Sequence, residues 1–264
     1  FVRNSFFNAA RPGARKILVV LTDGRSSTSP GSAANTARAS GITIFSIGVG
    51  CGIGQAELTT IAGSPSNVFA VSSYTQLSAA VYTISTTVCN VVVTVAPTSP
   101  APSLPPTLIP TPLAPVTPPC TNTAPLELVF LVDGSGSVGT AGFASSKTFV
   151  NQMVARFVVS PQNTRVAVVQ YAGTGQRRVA VTLAQGTSAS TVINAVNTMS
   201  YIRGSTDTGN GISYTRNSIL NSARPGYQAG WPTWTQSLRP SDGARRVCKN
   251  SPCGRAIMPS GSFG

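Results

Sequence analysis

The chain has no histidine among its 264 residues. That absence removes His-based triads, His-ligated zinc and imidazole general bases, and with them much of common enzyme chemistry. Charge is scarce too. Asp, Glu, Lys and Arg make up 9% of the chain, against a usual quarter. The surface must therefore be built largely from Ser, Thr, Asn, Gln and Gly. Acidic residues number only 6 against 19 Lys and Arg, a formal net charge of +13. A basic balance raises nucleic acid, membrane surfaces and acidic polymers as partners. The basic residues are scattered, however. Their densest groups are Arg11, Arg15 and Lys16, then Arg177 and Arg178, then Arg245, Arg246 and Lys249. None forms a long basic helix or an aromatic-interleaved groove. No nucleic acid is expected as a partner, and an anionic matrix polymer is the better charge-based candidate.

Cysteine is sparse and dispersed: Cys51, Cys89, Cys120, Cys248 and Cys253. They lack the close pairs of a zinc site, and their odd number suggests a truncated chain, a free thiol or an intermolecular bond. There is no N-x-Ser/Thr glycosylation acceptor. The chain opens at Phe1 without an initiator Met or a visible secretion signal, as a fragment or processed product would. The apolar stretch 88–95 is far too short to span a bilayer, so no transmembrane segment is expected.

What is abundant is proline, concentrated at 96–119 in APTSPAPSLPPTLIPTPLAPVTPP. This density favours extended polyproline II, as in a semi-rigid spacer. Its Ser and Thr also suit an O-glycosylated stalk. On either side, apolar runs alternate with helical patterns. Strands are expected at 15–23, 42–50, 67–73, 126–133, 164–172 and 177–183, the last two close enough for an antiparallel hairpin. Helices are expected at 32–41, 55–63, 74–89, 143–159 and 188–199, and in the later part of 202–223. Strands apolar on both faces and separated by helices argue for an α/β, Rossmann-like fold, a mostly parallel sheet flanked by helices. Ligands in such folds sit at the C-terminal ends of strands, where Asp23 and Asp133 both stand.

These residues carry a resemblance. Asp133-Gly134-Ser135-Gly136-Ser137 follows an apolar strand. Gly204-Ser205-Thr206-Asp207-Thr208-Gly209 comes about seventy residues later, and Ile17-Leu18-Val19-Val20-Leu21-Thr22-Asp23-Gly24 lies before the linker. The chain resembles the von Willebrand factor type A domain family over nearly all of 13–92 and 124–223. The resemblance implies a metal-ion-dependent adhesion site. Asp133, Ser135 and Ser137 would come from its first loop, Thr206 from its second and Asp23 from its third. Hydroxyls and carboxylates are hard ligands suited to Mg2+, with Mn2+ or Ca2+ as alternatives. With few carboxylates around it, the ion keeps positive character and can take an acidic side chain of a partner as its last ligand. Asp207 is expected to be a loop residue beside the site. Arg203 stands either near the site, tuning which anions approach, or free in solvent.

The order of parts departs from the family. Residues 1–95 resemble the C-terminal half of such a domain and residues 120–226 the N-terminal half. The linker 96–119 lies between, and 227–264 is an irregular tail. The segments 7–13 (FNAARPG) and 220–226 (LNSARPG) parallel each other, as if a window were cut from a tandem array. Either each half is incomplete, or the halves combine into one composite, circularly permuted domain. In several relatives, cysteines at the positions of Cys89 and Cys120 are bonded. That pair fits the composite domain or a local linker loop, and in a tandem array each cysteine would instead pair within its own repeat. Cys248 and Cys253 could pair locally, and Cys51 is expected as a buried thiol. Together these features imply an extracellular, secreted or cell-surface module, not an enzyme, binding an extracellular protein or matrix ligand through a carboxylate. The alternative is a structural wall or matrix repeat whose metal site only stabilises it.

Overall fold

The computed structural model describes residues 11, 13–93, 120 and 124–220. The proline linker, the tail, Cys248, Cys253 and most of the two parallel segments 7–13 and 220–226 lie outside these residues.

In chain order the elements are β1 (Arg15–Thr22), α1 (Gly31–Ala39), β2 (Ile42–Val49), α2 (Gln55–Ala62), β3 (Val68–Val71) and α3 (Leu77–Val93). They are followed by β4 (Leu126–Asp133), α4 (Gly139–Val154), β5 (Thr164–Tyr171), β6 (Arg177–Val181), α5 (Ala189–Asn197) and α6 (Thr208–Tyr214). The chain then continues as a π-helical stretch, Thr215–Leu220. The strands form one six-stranded sheet in the order β3-β2-β1-β4-β5-β6. Every neighbouring pair is parallel except the β5–β6 hairpin. Strands from before and after the linker therefore share a sheet, joined where Val20 pairs with Leu131 and Leu21 with Val132.

The apolar pattern explains the layers. Side chains alternate between the two faces of a strand. Ile17, Val19 and Leu21 of β1, with Leu128, Phe130 and Val132 of β4, pack beneath α3, α4 and α5. Leu18, Val20, Val129 and Leu131 point the other way, to α1 and α6. Each such buried side chain contributes about 1.5–3 kcal/mol of hydrophobic stabilisation. Adjacent parallel strands β1 and β4 thus send their following helices to opposite faces. This leaves a crevice at their C-terminal ends, where ligands bind in open α/β sheets.

The opposite end of the sheet is closed by charge. Glu127, fully buried on β4, accepts from Arg11 Nε at 2.8 Å and Arg165 Nη2 at 2.7 Å. Arg11 also donates to the carbonyls of Leu126, Pro161, Gln162 and Asn163, stitching the first segment onto the second.

Two local expectations are corrected. The helix read at 143–159 runs from Gly139 and ends at Val154. Phe157 and Val159 instead form bridges with Cys120 and Thr164, which hold them in extended backbone while Phe157 stays buried. The helix expected in the later part of 202–223 is there, from Thr208, and continues in π-helical form from Thr215. Cys51 is an exposed free thiol, not a buried one, because β2 ends at Val49 and Gly50 turns the chain out of the sheet with φ of 75°. Cys89 and Cys120 are joined by a disulfide, with Cα atoms 6.1 Å apart.

Candidate metal centre

β4 delivers Asp133 to the crevice as its last residue, and β1 ends one residue before Asp23. The first loop folds back on Asp133, whose Oδ1 accepts the backbone N–H of Ser135 at 2.8 Å. The hydroxyls of Ser135 and Ser137 lie 3.1 Å apart, and Ser137 Oγ donates to Asp23 Oδ1 at 2.8 Å. Thr206, nearly buried, approaches from the loop before α6. Its position is marked by Gly24, where an added Cβ would sit 3.6 Å from Ser137 Oγ and 3.7 Å from Thr206 Oγ1. The loops are pinned together by backbone. Ser27 N donates to Thr206 O, Gly136 N to Gly204 O and Arg203 N to Gly134 O. Asp133, Ser135, Ser137, Thr206 and Asp23 are thus brought to one place from three loops.

Several residues that sequence reasoning did not single out hold this arrangement. Thr22 Oγ1 donates to Asp133 Oδ2 at 2.7 Å, across the β1–β4 seam. The buried Tyr171 hydroxyl donates to the same oxygen at 3.4 Å and lies 3.1 Å from Thr208 Oγ1. Tyr201 donates its hydroxyl proton to Ser135 O at 2.5 Å and accepts Gly139 N–H at 3.0 Å, fixing the back of the first loop. A Cβ at Gly134 would come within 2.4 Å of Gln170 Nε2, so a larger residue there would have to push that buried side chain aside. Gly52 is tighter still, since a Cβ there would meet Asp23 O at 2.2 Å. Thr22 carried a signal, being the polar residue that ends an apolar strand beside Asp23. Tyr171, Tyr201 and Gln170 carried none, because their roles depend on tertiary proximity.

Burial dominates the electrostatics. Asp133 is pushed up from 3.8 to about 6, by desolvation first and by the charge of Asp23 in addition, against hydrogen bonds from Ser135 and Thr22 that lower it. Tyr74, half-buried nearby with its hydroxyl out of solvent, is raised far above the ordinary phenol range by desolvation and then by the two carboxylates. Tyr171 is raised likewise. Asp207 is not in the cluster. It caps α6, accepting from Asn210 N, Thr28 Oγ1 and Thr174 Oγ1. Burial raises its pKa, but these hydrogen bonds outweigh burial and hold it below its ordinary value.

The donor set is two carboxylates and three hydroxyls, all hard oxygen. Among the described residues no three His, Cys, Asp or Glu cluster in a way that could hold a metal. Any cation here would therefore be one that accepts hydroxyl and water oxygen, as Mg2+ does. A buried carboxylate raised by desolvation beside a second carboxylate is a place where a cation lowers the electrostatic energy.

The model of the von Willebrand factor type A domain matches residues 1–83 and 127–229. The chain is 28% identical over 229 residues to von Willebrand factor A domain-containing protein 2 of Mus musculus, covering 84% of this chain and 25% of that protein. It is 30% identical over 235 residues to matrilin-1 of Gallus gallus, covering 81% of this chain and 47% of that one. The chain thus spans between a quarter and a half of the length of these relatives. A solved structure of an uncharacterized protein from Alicyclobacillus acidocaldarius shares the fold, with a TM-score of 0.53 at 22% identity, over 78% of this chain and 94% of the other. With its mostly parallel sheet, its flanking helices and this match across most of its length, the chain belongs to the von Willebrand factor type A domain family.

Proposed function

We propose that the crevice is a divalent-metal-dependent adhesion site through which an extracellular module binds a carboxylate of a protein or matrix partner. The observation that carries this reading is the contact from Ser137 Oγ to Asp23 Oδ1, which completes an oxygen cluster from loops far apart in sequence. Asp133, Ser135, Ser137, Thr206 and Asp23 would hold the ion, directly or through water. Mg2+ suits the donors best, with Mn2+ or Ca2+ as alternatives. Bound there, the ion would supply a positive centre to which an acidic side chain adds as a ligand. The protein's own residues do the rest. Thr22 and Tyr171 orient Asp133, and Tyr201 holds the loop in place.

The extracellular setting is supported by the Cys89–Cys120 disulfide and by the matrix protein matrilin-1 among the relatives. Among the described residues no helix is long and apolar enough to cross a membrane. Binding rather than catalysis is supported by a chain without histidine. In the same reading, residues 1–95 and 120–226 are complementary halves of one permuted domain, tethered by the 96–119 linker. The parallel β1–β4 seam supports this. Titrating Mg2+ into the intact chain by calorimetry tests the site: wild type should bind and Asp133→Ala should not. Equal heats from both would refute it. A purely structural repeat would instead lose folding, not only partner binding, on chelation.

A further inference from the structure

We propose that Arg203, held over Tyr201 at the rim of the crevice, is a second anion-binding point, and that the partner it fits is an acidic protein segment with two neighbouring carboxylates. This rests on the metal-bridged carboxylate reading above. One carboxylate would reach the metal position, and the next would meet the guanidinium.

Four observations converge on this residue. Arg203 is the one non-glycine with positive φ among the described residues, at 68°. L side chains adopt that left-handed conformation at a cost, whereas glycine adopts it freely. Strain of this kind concentrates at functional sites. Its backbone is anchored to the first loop, because Arg203 N donates to Gly134 O at 2.8 Å. Its side chain is exposed, and the guanidinium lies 5.6 Å from the centre of the Tyr201 ring. That ring is itself bolted down. Tyr201 packs on Phe143 at 5.4 Å between ring centres, and its hydroxyl bonds to Ser135 O and Gly136 O. The arginine therefore stands on a platform that is part of the metal loop's own support.

The remaining carboxylates are engaged elsewhere. Both ion pairs among the described residues are made to Glu127, at the other end of the sheet. Asp207 is held by Thr28 and Thr174, and Glu57 accepts Ser26 N. Arg203 is in no ion pair with any of them. A second cation lies along the same segment, since Arg178 Nη1 bonds to Ser200 Oγ at 2.5 Å. A planar guanidinium with free donors, preorganised beside a cation site, suits a carboxylate better than a flexible ammonium would. Its charge repels a metal ion. A role in binding the partner and a role in building the metal loop thus predict opposite effects on metal affinity.

The test uses the full chain and two peptides blocked by N-acetylation and C-terminal amidation, Gly-Glu-Gly-Glu-Gly and Gly-Glu-Gly-Gln-Gly, titrated with and without Mg2+ at low salt. Wild type should bind the two-carboxylate peptide about fivefold more tightly, the strength of a good rim ion pair. Arg203→Gln should bring that ratio below about twofold without weakening Mg2+ binding, and Arg203→Lys should lie between. An unchanged ratio in Arg203→Gln, or a loss of Mg2+ affinity alongside the ratio, overturns the proposal. If binding needs no Mg2+ and survives Asp133→Ala, the metal reading falls while the ratio still judges Arg203. If neither peptide binds, both fall.

Discussion

Replacing Asp133 by Asn should make the metal-free protein more stable, although it destroys the proposed site. The carboxylate is 1% exposed, and its pKa rises from 3.8 to about 6 on folding. At neutral pH it is ionised in both folded and unfolded chains, and the folded state bears the cost of keeping that charge in a dry crevice. At about 1.4 kcal/mol for each pH unit, the cost is about 3 kcal/mol. The sign follows from proton binding. Between pH 4 and 6 the folded state holds the proton more tightly, so this group's contribution grows more favourable as pH falls through 6, and the cost is gone below about 4. Asn keeps the acceptor facing Ser135 N. Its amide N–H groups can donate to Thr22 and Tyr171, whose hydroxyls can turn toward Gly24 O and Thr208 Oγ1. Urea unfolding followed by circular dichroism in chelator should show Asp133→Asn ahead of wild type by about 2–3 kcal/mol near pH 7. That lead should shrink to nothing near pH 4. Mg2+ at a thousandfold excess over Kd should reverse the order, because only wild type gains binding free energy, about 4.1 kcal/mol at that excess. A variant no more stable than wild type in chelator at pH 7, or a difference that persists at pH 4, refutes the reasoning. Mg2+ affinity in wild type should weaken as pH falls through about 6, as the proton on Asp133 competes with the ion.

Other perturbations test other parts of the molecule. Glu127→Gln leaves Arg11 and Arg165 facing a neutral amide. Their side chains keep 21% and 14% exposure, so the loss should be about 2–4 kcal/mol, somewhat under that of a fully buried pair; chemical denaturation measures it, and a change within error would mean that the buried charge contributes nothing net. Removing the disulfide with paired Cys89→Ser and Cys120→Ser changes, across a sequence separation of 31, should cost about 3–4 kcal/mol. Reductant should have no further effect on that variant, and a reductant effect equal to that in wild type would show that the stability came from elsewhere. Gly52→Ala forces a Cβ into Asp23 O, so calorimetry should find Mg2+ affinity down by tenfold or more while the melting temperature moves only a few degrees. Unaltered affinity would mean that the Asp23 loop has slack which the close contact hides.

Local encoding and tertiary contact divide this molecule's features along a physical line. Features encoded locally were legible. Apolar runs such as 15–22 and 126–133, buried on both faces, gave central parallel strands, because alternation is lost when both faces are covered. The Asp and Gly/Ser loops at strand ends marked the crevice. Helix limits were less legible. Phe157 and Val159 continue an apolar pattern that suits a helix, but tertiary bridges to Cys120 and Thr164 take them into extended backbone. Cys51 failed for a similar reason. Burial of a small residue set between glycines is decided by where the glycine turn sends the chain, not by the apolar residues near it in sequence.

The site shows the same division more sharply. Each loop of the proposed metal site is readable alone, yet what unites them is adjacency of β1 and β4, which no local pattern specifies. The residues that tune the site are those least visible in sequence. Tyr171 ends a strand like any core aromatic, and Tyr201 lies in a loop with nothing to mark it. Arg203 reads either as a cation near the site, tuning which anions approach, or as one more solvated charge in a basic chain. Only the fold shows that its backbone is held left-handed by the loop it borders, with its charge set above a ring that braces that loop. A glycine there would relieve the backbone and leave the hydrogen bond to Gly134 O intact, since that bond is made by main chain. The side chain is therefore unnecessary for building the loop, which makes its exposed charge the feature to explain.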